Sequence, residues 1–395
     1  MWNTKQFDII VVGAGPAGSI FARNAASSGL SVLLLERKSR VGIPVRCGEG
    51  VIESDLRLFY KPRSEWIAST IDKFCFIAPN GNSTVFQMQE KGYILNREIF
   101  DYDLAKLAEK AGAKVITNAY VSGLLFENDK VIGVKGICNN EPFELKSKLV
   151  IGADGVESRI GRMAGINTTL KLNEIGSGYQ KTISGINVDK SVCSFYISNR
   201  LTPGGYIWIF PKGEDSANIG IGISGTSAIK GESAKSRLNK FIDLKYPKHK
   251  VESITVGGIP ISKPLKQMVT DGVMLIGDAA RTVNPLSGGG IILGMKSTVK
   301  AVDVAVKIFK DDLETSKLNL MEYQIRWIAN EGKQINRIYR IKQAVEKLTD
   351  KNLNIIIEKV NKLPMDKRSI ARLFSASIPQ KPSLIFDVAK VFMGY

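Results

Sequence analysis

The sequence predicts a mixed α/β (α+β) fold: a discontinuous Rossmann-like domain that carries an inserted β-sheet domain and is followed by a helical C-terminal region. Three observations predict it. The chain opens with a strand, a glycine turn, a helix and a second strand; two later apolar strands run into glycine-aspartate turns; and residues 317–395 have mostly helical periodicity. With 395 residues, 44% of them hydrophobic, the chain is long enough for two or three domains.

The N-terminal segment FDIIVVGAGPAGSIFARNAASSGLSVLLLER contains a G-x-G-x-x-G motif at Gly13, Gly15 and Gly18. The first glycine permits a sharp turn, the second leaves room for a pyrophosphate, and the third lets the helix pack closely on the strand. Backbone N–H groups at the start of the helix attract phosphates. Glu36 ends the second strand, where its carboxylate can accept hydrogen bonds from ribose hydroxyls. Together these features predict a dinucleotide-binding site.

Two later segments place carboxylates at the ends of further strands. KLVIGADGVESRIGRMAG runs from an apolar strand into Asp154, and DGVMLIGDAARTVNPLSGGGIILGMKS runs from another strand into Asp278 and then into a helix that starts near Gly290. In these motifs the sequence resembles the flavoprotein family typified by para-hydroxybenzoate hydroxylase. That resemblance implies FAD as the cofactor, with the second aspartate beside its ribityl and pyrophosphate part and the helix N-terminus at the flavin edge.

The resemblance also implies a set of cofactor-binding positions, some of which have simpler explanations. Arg97 matches a position where the family places an arginine beside FAD, although an arginine that only starts a surface helix is the alternative. Val121 lies where related flavoproteins hold adenine through backbone groups, and any apolar residue would serve there. The expected FAD-binding residues are Gly13, Gly15, Ala17, Gly18, Glu36, Cys47, Gly48, Gly50, Arg97, Val121, Asp154, Asp278, Gly289, Gly290 and Ile291.

Within this group of flavoproteins, several details favour a reductase. Hydroxylases typically carry a histidine after the GDAA run and a Gly-Gln-Gly-x-Asn turn, whereas this sequence has Arg281 and SGGGI. The segment PVRCGEG (44–50) resembles the cysteine-bearing flavin loop of geranylgeranyl reductases. The segment YIWIFP (206–211), followed after eight residues by GIG (220–222), matches the Y-x-W-x-F-P and G-x-G signature of that family. The nearest resemblance is to archaeal members that act on phospholipids.

The strand PGGYIWIFP places Tyr206, Trp208 and Phe210 on one face and Ile207 and Ile209 on the other. On the pattern alone, a strand buried on both sides is the simpler interpretation. The family signature favours a second one, in which the three aromatic side chains bind substrate as the wall of a dry tunnel for a 20-carbon isoprenoid chain. Packing in the sheet core stays open, for Phe210 above all.

The resemblance implies an FAD-dependent oxidoreductase that saturates the double bonds of geranylgeranyl chains in isoprenoid ether lipids, for membrane phospholipid biosynthesis. One alkene carbon would receive a hydride from reduced FAD and the other a proton. Cys47, beside Arg46 on a glycine-rich loop, is the predicted catalytic residue, although most free cysteines are buried structural thiols. Water relayed past Cys47 or Tyr206 is an equal proton source. The electron donor is open between a nicotinamide cofactor and a ferredoxin-like carrier.

Two other functions fit parts of the pattern. An aromatic-ring monooxygenase would share the fold and FAD but would consume oxygen. A nucleic-acid-binding flavoprotein is suggested by the net charge of +17, which implies an acidic partner. The basic residues are scattered and no nucleic-acid motif is visible. No nucleic-acid partner is therefore predicted.

The basic C-terminal segment RSIARLFSASIPQKPSLIFDVAKVFMGY has an apolar stripe that could lie on anionic lipid, and a solvated helix face is the equal alternative. The N-terminus lacks the features of a signal peptide, and no apolar run approaches the length of a membrane span. We therefore expect a cytoplasmic protein, with peripheral contact at the inner membrane face left open.

Cysteine and histidine are too few for a metal site or a disulfide framework, so no metal is predicted. The four cysteines show no C-x-x-C spacing, and Cys75, Cys138 and Cys193 lie in strand-like segments where we expect them in the core. His249 is the only histidine and lies in the charged run KYPKHK. Catalysis of the Ser-His-Asp or Cys-His type therefore lacks its base.

The order of the motifs predicts the domain boundaries. The FAD-binding domain takes 1–55, 96–170 and 262–310; the β-rich substrate-binding domain takes 56–95 and 171–261; and the C-terminal helical region takes 311–395.

Overall fold

The computed structural model describes residues 6–377 and 382–392 of the chain. In these residues sixteen strands form two eight-stranded sheets. The strands are β1 (Phe7–Val12), β2 (Val32–Leu35), β3 (Gly50–Ile52), β4 (Ile67–Ile77), β5 (Ser83–Leu95), β6 (Lys114–Ile116), β7 (Ala119–Glu127), β8 (Lys130–Cys138), β9 (Glu141–Gly152), β10 (Ile175–Ser184), β11 (Val192–Tyr196), β12 (Tyr206–Pro211), β13 (Ser216–Ser224), β14 (Lys250–Pro260), β15 (Val269–Thr270) and β16 (Val273–Leu275).

The helices surround both sheets and make up the C-terminal part of the described chain. They are α1 (Pro16–Ser27), α2 (Glu53–Arg57), α3 (Arg97–Lys110), α4 (Arg159–Met163), α5 (Gly225–Lys230), α6 (Ala234–Lys245), α7 (Ile291–Lys310), α8 (Lys317–Trp327), α9 (Lys333–Val345), α10 (Asp350–Asn361), α11 (Ile370–Ser377) and α12 (Pro382–Phe392). Shorter turns of 3₁₀-helix span Ser64–Trp66, Gly155–Glu157, Leu172–Glu174, Gly277–Ala280 and Met365–Lys367, and a π-helical turn spans Ile328–Gly332.

The first sheet has a parallel centre in the order β16-β9-β1-β2-β6, with β15 antiparallel to β16 at one edge. Its central strands are continuous apolar runs because both faces are covered. Helix α1 packs against α3 and α7. The second half of β9 pairs with β1, while its first half pairs with β8 in an antiparallel extension that includes β7. The carboxyl ends of β1, β9 and β16 therefore lie side by side.

The second sheet has the order β14-β10-β13-β12-β11-β4-β5-β3 and is antiparallel except between β11 and β4. On one face, Ile207 and Ile209 of β12 pack in a cluster with Leu238 and Ile242 of α6. The opposite face carries the aromatic side chains of β12. Helix α6 covers the isoleucine face at β12. The aromatic face is covered by α10 at β4 and β5, through Phe76 and Phe86, and at β12 it is turned towards the segments that contain Gly48 and Ser287.

The C-terminal helices form their own packed layer. Ile341 of α9 and Val388 of α12 are fully buried in one cluster, and Arg340 and Asp387 form a bidentate ion pair across the same two helices. Within 6–377 and 382–392, no helix is both long enough and apolar enough to cross a bilayer. The mixed α/β architecture and the helical C-terminal region predicted from the sequence are confirmed. The C-terminal lipid-contact hypothesis falls partly on 378–381 and 393–395, outside the described residues.

Candidate active site

The turn between β1 and α1 has three glycines with three different surroundings. Gly13 has φ +104°, and a Cβ there would lie 2.3 Å from the carbonyl oxygen of Ala153. A Cβ on Gly18 would lie 1.9 Å from the carbonyl oxygen of Gly13. A Cβ on Gly15 would meet no atom within 4 Å. The first and third glycines are therefore required for folding, whereas Gly15 leaves open space at the start of α1.

Glu36 closes this turn from the end of β2. Its carboxylate accepts hydrogen bonds from the backbone N–H of Ala14 and of Lys38, both at 3.0 Å. Its carbonyl accepts from the N–H of Ala119 at the start of β7, and Val121 is buried in the same core two residues further along. Each carboxylate oxygen keeps a lone pair, so Glu36 can still accept from a ligand hydroxyl.

Asp154 lies directly after β9, next to the glycine turn. Its Oδ2 accepts a hydrogen bond from the backbone N–H of Ile160 at 3.0 Å. Its Oδ1 is buried and has no hydrogen-bond partner among the described residues. Burial raises the pKa of the Asp154 carboxyl above its usual value. A buried acceptor that lacks a protein donor is a position that ligand donors can satisfy.

Asp278 lies at the other side of the glycine turn, against the start of α7. A Cβ on Gly290 would lie 2.8 Å from Oδ1 of Asp278, so the carboxyl and the helix N-terminus are in contact. The same helix is tied to α1, because Thr298 donates a hydrogen bond to the carbonyl of Ala17 at 3.1 Å. Burial raises the pKa of Asp278 to about 6, and the positive charge of Arg97 opposes that shift.

Arg97 begins α3 and is held by its own helix. Its guanidinium forms two hydrogen bonds of 2.6 Å with the Asp101 carboxylate one turn later, and both side chains are nearly buried. Burial opposes the shift, but the paired Asp101 carboxylate raises the pKa of Arg97, and the nearby Glu49 carboxylate contributes. Arg97 therefore supplies a fixed positive charge between the Cys47 loop (44–50) and Asp278.

The Cys47 loop is anchored by Gln180 of β10, which is 7% exposed. The Gln180 amide donates to the carbonyl of Cys47 at 3.1 Å and accepts from the indole N–H of Trp208 at 2.9 Å. The Cys47 thiol accepts from the backbone N–H of Glu49 at 3.2 Å. Burial raises the pKa of Cys47, although Arg97 opposes the shift. Cys47 is therefore a neutral thiol at physiological pH.

Glu49 joins the Cys47 loop to α3 and to the second sheet. It has φ +74° and is 3% exposed. Its carboxylate accepts from the backbone N–H of Arg97 at 3.4 Å, from the ammonium of Lys212 at 2.7 Å and from the amide of Asn218. Charge-assisted hydrogen bonds of this kind are about twice as strong as neutral ones. The loop is therefore fixed relative to α3, β12 and β13.

The aromatic strand packs through glycines on its neighbours. Trp208 of β12 pairs with Gly220 of β13, and a Cβ on Gly220 would lie 2.0 Å from the indole ring. A Cβ on Gly48 would lie 3.0 Å from the ring of Phe210 and 3.4 Å from Nε1 of Trp208. The glycines of the G-x-G signature and of the Cys47 loop therefore make room for the aromatic rings.

Tyr206 connects this strand to the glycine turn before α7, because its hydroxyl donates to the carbonyl of Ser287. Burial raises the pKa of Tyr206. Phe195 of β11 lies between Tyr206 and Phe210, with ring centroids 5.6 Å from each. Tyr206 and Phe210 keep part of their surface accessible, whereas Trp208 is 8% exposed. The aromatic face is therefore partly buried, with accessible surface at Tyr206 and Phe210.

The comparisons with known proteins agree with this arrangement. Residues 174–259 match the family model "Geranylgeranyl reductase catalytic domain", and residues 8–199 match "FAD dependent oxidoreductase". The chain is 38% identical to digeranylgeranylglycerophospholipid reductase 1 of Methanococcoides burtonii, covering 98% of this chain and 95% of that protein. It is 37% identical to the digeranylgeranylglycerophospholipid reductase of Methanocella arvoryzae, covering 97% and 98%.

The chain belongs to the geranylgeranyl reductase family. Among solved structures, a geranylgeranyl bacteriochlorophyll reductase-like protein from Thermoplasma acidophilum aligns with a TM-score of 0.90 and 32% identity over 98% of this chain and 100% of that one. A flavin-dependent brominase aligns with a TM-score of 0.74 at 17% identity, over 98% of each chain, and shares the fold. The family resemblance and the FAD cofactor inferred from the sequence are confirmed.

The geometry of the site fits FAD. The open space at Gly15, the unpaired Oδ1 of Asp154 and the uncapped N-terminus of the 20-residue helix α7 all offer contacts that a phosphate-bearing polyol can use. The structure brings the predicted cofactor positions together around one glycine turn, and it places the Cys47 loop and the aromatic strand beside them. Val121 lies further back, in the core under Glu36.

Sequence reasoning missed the polar residues that hold these parts together: Glu49, Gln180, Lys212, Asn218 and Ser287. Glu49 lies in the PVRCGEG segment, between two glycines. A glutamate in that position indicates an unusual backbone conformation, here a positive φ. Gln180 and Lys181 are the two long polar residues of β10, whose other residues are glycines, small hydroxyl residues, isoleucines and a tyrosine. That pattern indicates a buried polar side chain, but not its partners.

The surroundings of Gly15 and Gly18 predict different effects for the same substitution at the two positions. Gly15→Ala should leave the thermal midpoint of the apoprotein almost unchanged and weaken FAD binding at least about tenfold, because the methyl group enters the pyrophosphate space. Gly18→Ala should lower the free energy of unfolding by about 3 kcal/mol or more, because the methyl group overlaps a backbone carbonyl. Calorimetry and FAD titration separate the two effects. Equal behaviour of the two variants would contradict the assignment of Gly15.

The raised pKa of Asp278 predicts that the affinity for FAD depends on pH. Its ionised form is the better acceptor for FAD hydroxyls, and its pKa of about 6 in the protein means that the carboxyl must lose a proton on binding below that pH. FAD affinity should therefore fall by up to about tenfold per pH unit as the pH drops below 6, and level off above it. Flavin fluorescence titrations of apoprotein between pH 5 and 8 measure this slope. Asp278→Asn should remove it, and parallel profiles for both proteins would refute the role.

Proposed function

We propose that this protein is an FAD-dependent reductase that saturates the double bonds of geranylgeranyl chains in isoprenoid ether phospholipids. The single observation that carries the proposal is the chain of hydrogen bonds from Trp208 through Gln180 to Cys47. It sets an aromatic, largely apolar surface directly beside the loop that adjoins the cofactor residues. The substrates named for the relatives, digeranylgeranylglycerophospholipids, are lipids that such a surface suits.

In this proposal FAD, when bound, supplies the two electrons as a hydride to one alkene carbon. The protein holds the cofactor with the glycine turn and with Asp154 and Asp278. The second sheet serves as the substrate domain, and Tyr206, Trp208 and Phe210 orient the chain and exclude water. The proposal includes the division inferred from the sequence, into an FAD-binding domain and a β-rich substrate-binding domain.

The proton for the second alkene carbon is assigned to Cys47 or to a water molecule held by it. The raised pKa keeps the Cys47 thiol protonated at neutral pH. Tyr206 is the poorer candidate, because its hydroxyl proton is already donated to the carbonyl of Ser287. A tyrosine fixed in this way positions the aromatic strand against the glycine turn instead of relaying protons.

Peripheral contact with an anionic membrane face is a further part of the proposal. On α12, Phe386 is 55% exposed and Lys390 lies over its ring. Val388 on the same helix is buried against α9. One side of α12 therefore holds the helix to the protein, and the other presents an aromatic and a basic side chain that suit a lipid headgroup layer.

The function is tested by mass spectrometry of a digeranylgeranylglycerophospholipid incubated with FAD-loaded protein and excess dithionite, which makes the result independent of the physiological electron donor. We expect successive gains of two hydrogens per lipid. Gly15→Ala protein at an FAD concentration that leaves it unloaded is the matched control and should give no product. An unchanged lipid in the presence of fully reduced wild-type protein would refute the proposal.

The role of Gln180 is tested by Gln180→Leu, with the exposed Gln87→Leu as control. Loss of both buried hydrogen bonds should cost about 2–4 kcal/mol of stability and release the Cys47 loop. We expect iodoacetamide to alkylate Cys47 at least about fivefold faster, mapped by peptide mass, and alkene reduction to slow by about tenfold. Gln87→Leu should change neither rate. If the Gln180→Leu protein is destabilised but its Cys47 is alkylated and its alkene is reduced at the wild-type rates, Gln180 serves only in packing.

A further inference from the structure

The aromatic face of the second sheet extends beyond the YIWIFP signature. Phe195 of β11 lies between Tyr206 and Phe210, with ring centroids 5.6 Å from each. Phe76 of β4 stacks on Phe195, with ring centroids 5.0 Å apart. The pairing of the strands explains this arrangement, because Phe195 is the cross-strand partner of both Trp208 and Phe76. Phe76, Phe195, Tyr206 and Phe210 therefore form a continuous row across three adjacent strands, which we call the ring row.

The ring row has accessible surface although its strands lie inside the sheet. The strands β12, β11 and β4 each have a neighbouring strand on both sides. All four residues of the row are nevertheless only partly buried. An apolar sheet face is normally closed by a second layer, and an apolar surface that is left accessible is typical of a binding groove. The ring row is therefore a surface that an apolar ligand can cover.

Two elements bound the ring row. On one side lies the Cys47 loop, since a Cβ on Gly48 would lie 3.0 Å from the ring of Phe210. On the other side Phe86 of β5 lies next to Phe76, with ring centroids 5.6 Å apart, but is only 2% exposed. Phe86 packs with side chains of α10 and α11. The accessible rings thus begin at the Cys47 loop and end at Phe76, where α10 closes the face.

The spacing of the rings matches the repeat of an isoprenoid chain. An isoprene unit adds four carbon–carbon bonds to the chain, about 5 Å in extended form by ordinary bond lengths. The centroids of Tyr206 and Phe195 lie 5.6 Å apart, and those of Phe195 and Phe76 lie 5.0 Å apart. Successive isoprene units can therefore contact successive rings. Because apolar contacts have no preferred direction, the chain can also move along the row between reactions.

We propose that Phe195 and Phe76 determine specificity for chain length, by binding the isoprene units that lie beyond the alkene at the Cys47 loop. Phe195 contacts the next unit and Phe76 contacts the one after it. The methyl end of the chain lies towards α10, because the glycerophosphate end is charged and cannot be buried at a closed apolar end. This inference rests on the proposed function and adds to it two residues outside the YIWIFP signature.

The test compares two lipids in dithionite-reduced, FAD-loaded enzyme: the digeranylgeranyl phospholipid and its digeranyl analogue, whose chains have only two isoprene units. In Phe76→Ala we expect KM for the longer lipid to rise at least about fivefold, from lost apolar contact, and KM for the shorter lipid to change less than about twofold. Phe195→Ala should raise both KM values, because the second unit of either chain reaches it. The control is Tyr196→Ala, on the opposite face of β11 with its ring 4.8 Å from that of Phe241 on α6, which should change neither KM.

A binding measurement gives a second readout that does not depend on turnover. The saturated forms of the two lipids are titrated into oxidised enzyme, and binding is followed by calorimetry. Phe76→Ala should weaken binding of the longer lipid at least about fivefold and leave that of the shorter one within about twofold of wild type. If an alanine variant does not fold, as judged by its flavin spectrum and thermal midpoint, the leucine variant at the same position is used. Leucine keeps an apolar side chain there, and the same order of effects is expected.

Three outcomes would overturn the inference. If Phe76→Ala raises KM by the same factor for both lipids, Phe76 does not contact the end of the longer chain. If both ring-row variants lose thermal stability but match Tyr196→Ala in KM and in lipid affinity, the ring row serves only in packing. If wild-type enzyme binds the two saturated lipids equally, chain length is not recognised at this face. Wild-type enzyme that reduces neither lipid refutes the proposed function instead, and the binding titration still tests the ring row.

Discussion

The buried carboxylate of Glu49 is the contact on which the geometry of the site depends. It holds the Cys47 loop to the start of α3 and to β12 and β13 through three donors. Removing one partner of a buried charge costs about 3–5 kcal/mol, because the remaining charge cannot return to water. The loop, the helix and the sheet are therefore held in one arrangement, and Cys47 is placed by Glu49 two residues away.

The aromatic strand obeys a second constraint, which explains why its signature pairs large residues with glycines. Trp208 faces Gly220 across the strand boundary, and Phe210 faces Gly48 of the Cys47 loop. A ring of that size can lie flat against a sheet only where the neighbouring side chain is missing. The G-x-G part of the signature is thus a packing requirement, and the aromatic part is the surface that this packing creates. Ile207 and Ile209 of PGGYIWIFP are core, and the opposite face packs beside the Cys47 loop. The role of that face as the wall of a substrate tunnel stays a prediction.

Local patterns on the sequence predicted the fold of the first sheet and the FAD cofactor because each motif is short and has its own physical reason. The turn at Gly13, Gly15 and Gly18 is determined by backbone geometry within six residues, and parallel pairing brings the ends of β1, β9 and β16 together. The buried polar contacts could not be predicted in this way. Gln180 meets Cys47 across 133 residues of sequence, and no periodicity within a strand specifies such a partner.

A shared fold does not determine the chemistry of this protein. The flavin-dependent brominase with the same fold has 17% identity to it, so the similarity in backbone leaves most side chains free to differ. In this chain the Cys47 loop and the aromatic strand are joined by polar contacts through Gln180. Their packing creates a largely apolar surface beside a neutral thiol, and the proposed delivery of a proton and a hydride to an unactivated alkene rests on this combination.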